Sequence, residues 1–263
     1  MPRQVISKTL IRPCGWLLAS ALTVLPIGNA MADDAKDLLK AMSDYMAKQK
    51  TFSFSYDSSV EAVTRDFEKL QFASSGKVDV ERPDKISVSR IGGFADMETV
   101  FDGTTLSILG KNLNVYSQVE AKGTLDDLGE QLSSAGIDPP GADMLASNVF
   151  DTLMDGVTDA RHISSAYIDG VECEYLAFRS HDVDWQIWIQ TGDQPVPRRY
   201  VITSKHLSQA PQYTLETRDW KFGSAVAAND FKFKAPAGAK KVDLGDIAQI
   251  DEVPSPEDDG DQQ

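Results

Sequence analysis

Along the chain, apolar positions first recur with helical spacing. Ala35, Leu38, Leu39, Met42, Tyr45 and Met46 stand three and four apart, which predicts an amphipathic helix from Asp33 whose stripe must lie against another element. Asp33 and Asp34 at its start and Lys48 and Lys50 at its end suit the helix dipole. At Thr51 the period becomes two. Phe52, Phe54 and Tyr56 face one way and Ser53, Ser55 and Asp57 the other. The alternation returns from Phe72, with Val78 and Val80 opposed to Lys77, Asp79 and Glu81, and again at Ile86 and Val88 between serines. Met97, Thr99 and Phe101 lead into Asp102-Gly103, a turn signal ahead of Leu106 and Ile108, and Leu113, Val115 and Ser117 follow Gly110. This predicts five or six antiparallel strands in a meander, one face apolar and the other wet.

The middle reverts to helical spacing, with Leu125, Leu128, Leu132 and Ala135, then Leu145, Val149 and Leu153 after the break at Pro139-Pro140-Gly141. Strands resume over 171–178, 183–189, 200–204 and 213–222, with a short one at 231–233 and a stiff loop at 191–197. The expected fold is therefore mostly antiparallel β with helices (α+β). It is an open, strongly curved half-barrel of about eleven strands, with an N-terminal helix and a helical lid at 124–155. Two separate domains would each leave an apolar sheet face uncovered.

The first 32 residues read as a cleaved signal peptide. Arg3, Lys8 and Arg12 precede an uncharged stretch from Gly15 to Ile27, and Ala30-Met31-Ala32 offers the small-x-small cleavage pattern. The stretch is short for a span of about 20 apolar residues and carries Pro26, which argues against a retained anchor. Cys14 precedes the apolar core, where a lipid-modified cysteine would follow it. The expected location is the bacterial periplasm, with the fold over 33–245 and an acidic disordered tail over 246–263, where Asp251, Glu252, Glu257, Asp258, Asp259 and Asp261 cluster.

A net charge of −14 sets the chain against nucleic acid and anionic lipid surfaces, so a soluble monomer with apolar contacts is expected. Little points to catalysis. Beyond the leader only Cys173 remains, between Glu172 and Glu174, whose carboxylates oppose a reactive thiolate. His162, His181 and His206 share no metal-ligand spacing, Ser133-Ser134 and Ser164-Ser165 lack a nucleophile elbow, and there is no Walker loop or GxGxxG. The acidic tail at Glu257-Asp258-Asp259 reads as solvated charge. The chain is read as a non-enzyme without cofactor or metal.

The positive signal is the apolar strand face. Phe52, Phe54, Tyr56, Phe72, Ile86, Val88, Met97, Phe101, Leu106, Ile108, Trp185 and Ile187 are expected to point into the concave side. They could be plain core. A curved sheet roofed by two or three short helices, however, leaves volume for a pocket. At about 0.8 kcal/mol per buried CH₂, an acyl chain of about a dozen carbons would gain roughly 10 kcal/mol before ordering costs.

Four stretches in order resemble the LolA/LolB-like lipoprotein carrier superfamily, closest to an uncharacterised family of predicted periplasmic proteins within it. They are Ser75-Gly76-Lys77-Val78, Val80-Glu81-Arg82-Pro83-Asp84-Lys85, Phe101-Asp102-Gly103-Thr104-Thr105-Leu106 and Asp230-Phe231-Lys232-Phe233-Lys234-Ala235-Pro236. The likeness spans residues 35–245. It implies a helical lid over an acyl-chain cavity, with Arg82 in the position of the arginine that ties the lid shut. Ile86 replaces the carrier's aromatic, and the chain is more acidic than a carrier that hands cargo to a membrane receptor, so lipoprotein transfer does not carry over. The function expected is a periplasmic carrier or chaperone for a lipid, acyl chain or other apolar ligand, with a membrane-associated donor or acceptor protein as partner. The alternative is a non-catalytic interaction or sensor protein that binds a protein partner on the same scaffold.

Overall fold

A computed structural model describes residues 28–137 and 139–247. Most of the leader expected at 1–32 and all of the acidic cluster beyond 247 lie outside the described residues. The first helix, α1, runs Gly28–Ala47 and so starts before Asp33. Its stripe faces inward as the spacing requires, with Ala35, Leu39, Met42 and Met46 no more than 2% exposed.

Six strands follow: β1 Thr51–Val63, β2 Lys69–Glu81, β3 Lys85–Gly92, β4 Asp96–Phe101, β5 Thr105–Gly110 and β6 Val115–Glu120. Two helices interrupt them, α2 Leu125–Ser134 and α3 Val149–Met154, with a 3-10 turn at Ala142–Leu145 between. Then come β7 Asp159–Ile168, β8 Val171–Arg179, β9 Val183–Gln190, β10 Pro197–Ser204, β11 Gln212–Phe222, a two-residue β12 Lys240–Lys241, and a short α4 Leu244–Ile247.

All strands join one open sheet ordered β12-β6-β5-β4-β3-β2-β1-β11-β10-β9-β8-β7. Both halves meet where β1 pairs antiparallel with β11, Phe52 opposite Phe222 on one side and Val80 on the other. Every ladder is antiparallel except β12 on β6. One continuous sheet interrupted by helices is thus what the alternation predicted, with twelve strands in place of about eleven.

Three strand assignments differ, the two-residue β12 being one that was not expected. β7 was not expected, because its apolar residues Ala160, Ile163, Ala166, Tyr167 and Ile168 keep no period of two in sequence, and a bulge between His162 and Ser164 resets its in-out alternation, as an edge strand permits. The segment 231–233, expected as a closing strand, is coil. Phe231 takes a positive φ of 50° and turns into the core at 5% exposure, its N–H bonded to Asn229 Oδ1. Ile247 of α4 packs on Ala95 and Met97, so the expected boundary at 245 falls inside a packed helix.

Local chemistry sets the helix ends. Thr124 and Asp127 form a reciprocal capping box on α2, and Asn148 caps α3 by accepting from the Asp151 N–H. Gly141 precedes the 3-10 turn at a left-handed φ of 82°, which favours glycine, and a Cβ there would press on Leu215 Cδ2 at 3.2 Å.

Candidate functional site

The inner face of the sheet collects most of the expected lining residues. Phe52, Phe54, Tyr56, Ile86, Phe101, Leu106, Trp185 and Ile187 are buried in one core, with Val88 and Ile108 partly buried against it. Two depart. Met97 belongs to a separate small cluster with Ala95 and Ile247, because α4 covers that end of the inner face. Phe72 sits far along β2 against exposed Phe94, with ring centroids 5.7 Å apart.

The same core holds Leu39, Met42 and Met46 of α1, Leu128, Met144, Val149 and Leu153 of the 124–155 segment, and Leu176 and Phe178 of β8. The trough described here is therefore occupied by the chain's own side chains. The expectation of spare volume counted only the short lid helices as filler. α1, whose stripe was predicted without a docking place, lies in the trough as well. Aromatic walls close both flanks: Phe54 stacks on Trp220 at 4.3 Å, and Phe178 on Trp185 at 3.9 Å with Tyr200 edge-on to Trp185 at 5.9 Å. Two surface clefts, of about 430 Å³ and 360 Å³, lie elsewhere, and neither is lined by the twelve expected residues.

Among the described residues four polar ties join the segment 142–155 to the rest, one of them from the Ser147 N–H to Asp126 Oδ1 of α2 at 2.8 Å. Arg82, at the end of β2, donates from Nη2 to the Ala146 carbonyl at 3.0 Å, and its guanidinium lies over the Phe52 ring at 5.5 Å. Burial pulls its pKa down, opposed by the Asp126 carboxylate, and its buried Nε has no hydrogen-bond partner. The adjoining Pro83 carbonyl accepts from the Leu125 N–H at 2.8 Å, which fixes the start of α2. Ser43 Oγ on α1 accepts from the Phe150 N–H at 2.9 Å. Tyr200 donates from its hydroxyl to Asp143 Oδ2 at 3.1 Å. Burial holds Asp143 above the ordinary carboxylate range despite this bond and the one from the Met144 N–H, and Tyr200 is raised by burial and by Asp143. The Asp143–Tyr200 pair had no sequence signal, because the residues lie on the 3-10 turn and on β10, 57 positions apart.

Cys173 is buried, and burial raises its pKa. His162 pairs with Glu174 at 2.7 Å. His181 and His206, which share no spacing in sequence, come together with Asp182 on the rim. Among the described residues no helix is long and apolar enough to cross a membrane.

Among solved structures the chain is similar to a chain of the Pseudomonas aeruginosa MucA/MucB complex (15% identity, TM-score 0.45), covering 77% of this chain and only 62% of that one. It is also similar to the Mycobacterium tuberculosis lipoprotein LppX (12%, TM-score 0.40, covering 75% and 98%). A LolA superfamily protein from Nitrosomonas europaea is a third (12%, TM-score 0.34, covering 72% and 94%). No curated protein matches the chain. The open, mostly antiparallel sheet with helices on its inner face is the arrangement expected from the chain's alternating and helical stretches. The family model of predicted periplasmic proteins known as DUF2092 matches residues 35–245, and the chain belongs to that family.

Proposed function

We propose that this is a periplasmic, non-catalytic binding protein that carries an acyl chain or similar apolar ligand in the trough, exported by cleavage of residues 1–32. The single observation that carries the reading is the closure. An aromatic-lined inner face is roofed by short pieces, a ten-residue and a six-residue helix, and few polar bonds hold the segment at its rim. Such a roof opens at lower cost than the sheet, because short elements with few buried contacts occupy the low-stability end of a fold. The form described is the closed one. Ligand replaces the side chains of Met144, Val149 and Leu153 against the strand face, and Arg82 serves as the latch. The twelve inner-face residues and the membrane-associated donor or acceptor belong to the same proposal.

Protein taken from the periplasm is expected to retain lipid in native mass spectrometry, and stripped protein to bind a fluorescent fatty acid with displacement by unlabelled chain. Lipid-free protein that ignores the probe defeats the proposal. A second reading rests on a specific feature. β7 is an end strand of the sheet and carries exposed Ile163 and Tyr167, so it offers a template for a partner's strand. A stoichiometric protein partner on a trough that stays filled would favour it.

A further inference from the structure

We infer that His181, Asp182 and His206 form a surface site for a divalent transition-metal ion of the zinc class. The sheet register builds it. Val183 opposes Ser204 at the end of the β9–β10 ladder, and the Lys205 N–H bonds the Asp182 carbonyl at 3.1 Å, so continuing the antiparallel count sets His206 beside His181. Each of the three residues presents one ligand atom, and these atoms lie within 4.8 Å of one another. Asp182 Oδ1 is 3.5 Å from His206 Nε2 and 2.7 Å from His181 Nδ1.

A tetrahedral ion bound at about 2.1 Å keeps its ligands about 3.4 Å apart. The first separation fits this already. The second, now a hydrogen bond, widens by about 0.7 Å, which exposed side chains on a turn allow. His206 Nε2 donates to the His181 carbonyl oxygen at 3.1 Å, a bond that the ion replaces when it binds. The neighbouring cation does not block the site, because Lys205 Nζ is engaged by the Ser180 carbonyl at 2.5 Å and by Asp184 at 3.3 Å. Two imidazoles with one carboxylate select zinc, copper or nickel over calcium and magnesium, which prefer all-oxygen shells. A bound ion ties the β8–β9 turn to the β10–β11 connection, next to Leu207 on the wall of the 430 Å³ cleft.

The test titrates zinc chloride into the chelator-stripped full chain against a chromophoric chelator near neutral pH, with melting temperature followed in parallel. One equivalent is expected to bind and to raise the melting temperature. Affinity should fall by roughly tenfold or more in His181→Ala and in His206→Ala, since each removes a direct ligand. His162→Ala, away from the site, should leave it unchanged. All three variants alter side chains that carry little of the core, so metal-free melting temperatures should match the parent and show that each is folded. Zinc binding that survives both substitutions belongs elsewhere, the acidic tail included. That result, or the absence of saturable binding, overturns the assignment.

Discussion

Replacing Arg82 by methionine tests whether the rim bond governs the lid. Methionine keeps an unbranched apolar stem but loses the guanidinium. The variant gives up one charge-assisted bond to the Ala146 carbonyl, worth about 1.5–3 kcal/mol. It also loses the approach to the Phe52 ring, worth about 1 kcal/mol for a partly desolvated pair. Against this, the parent buries an Nε without a partner, a cost of about 1–3 kcal/mol that the substitution relieves. The balance is a loss of about 1–2 kcal/mol, concentrated on the lid, or about 5–30-fold in its opening equilibrium. Amide exchange over 144–154 should quicken by that factor while exchange in β1 and β11 stays put, and the fluorescent acyl probe should bind faster. Uniform acceleration across the sheet would make Arg82 a general stabiliser, and unchanged lid exchange would refute the latch outright.

Further outcomes are expected. Leu39→Ala opens a cavity under a fully buried α1 residue and should lower stability by about 2–5 kcal/mol in urea unfolding, while tightening acyl-probe binding. Asp143→Asn removes a buried charge whose pKa is raised by burial. A raised carboxylate means the folded state holds more protons, so the parent loses stability as pH rises from the unfolded value through the folded one. The melting-temperature gain of the variant should accordingly be small near pH 4 and larger at pH 7, and a gain that is flat with pH would contradict this. Gly76→Ala would put a Cβ 2.0 Å from the Ser89 carbonyl oxygen and 2.5 Å from the Tyr56 ring. Since β2 and β3 are hydrogen-bonded there, the expected cost is about 3 kcal/mol or more in chemical denaturation.

Legibility in the sequence followed burial. β1, β9 and the stripe of α1 alternate or repeat cleanly because each has one face in the core, so their type and facing could be read directly. β7 is half solvated at the sheet end, and with the bulge between His162 and Ser164 its apolar residues keep no period of two in sequence. Phe231 was misread because one buried aromatic next to a polar residue looks the same in a strand and in a tucked loop. The content of the trough was not readable either: periodicity says that Leu39 and Met42 must be covered, not by which surface. The proximity of His181 and His206 was not readable for a related reason, since only the β9–β10 register makes neighbours of them.

The pairing of β1 with β11 has a consequence for biogenesis. Asp57 and Arg218, 161 residues apart, meet across this seam, so the midline of the sheet cannot zip until almost the whole polypeptide has emerged. Closing so large a loop before its contacts repay the entropy makes folding slow. A chain that stays open while it is being synthesised suits the export proposed above, in which arrival on the far side of the membrane would complete the seam.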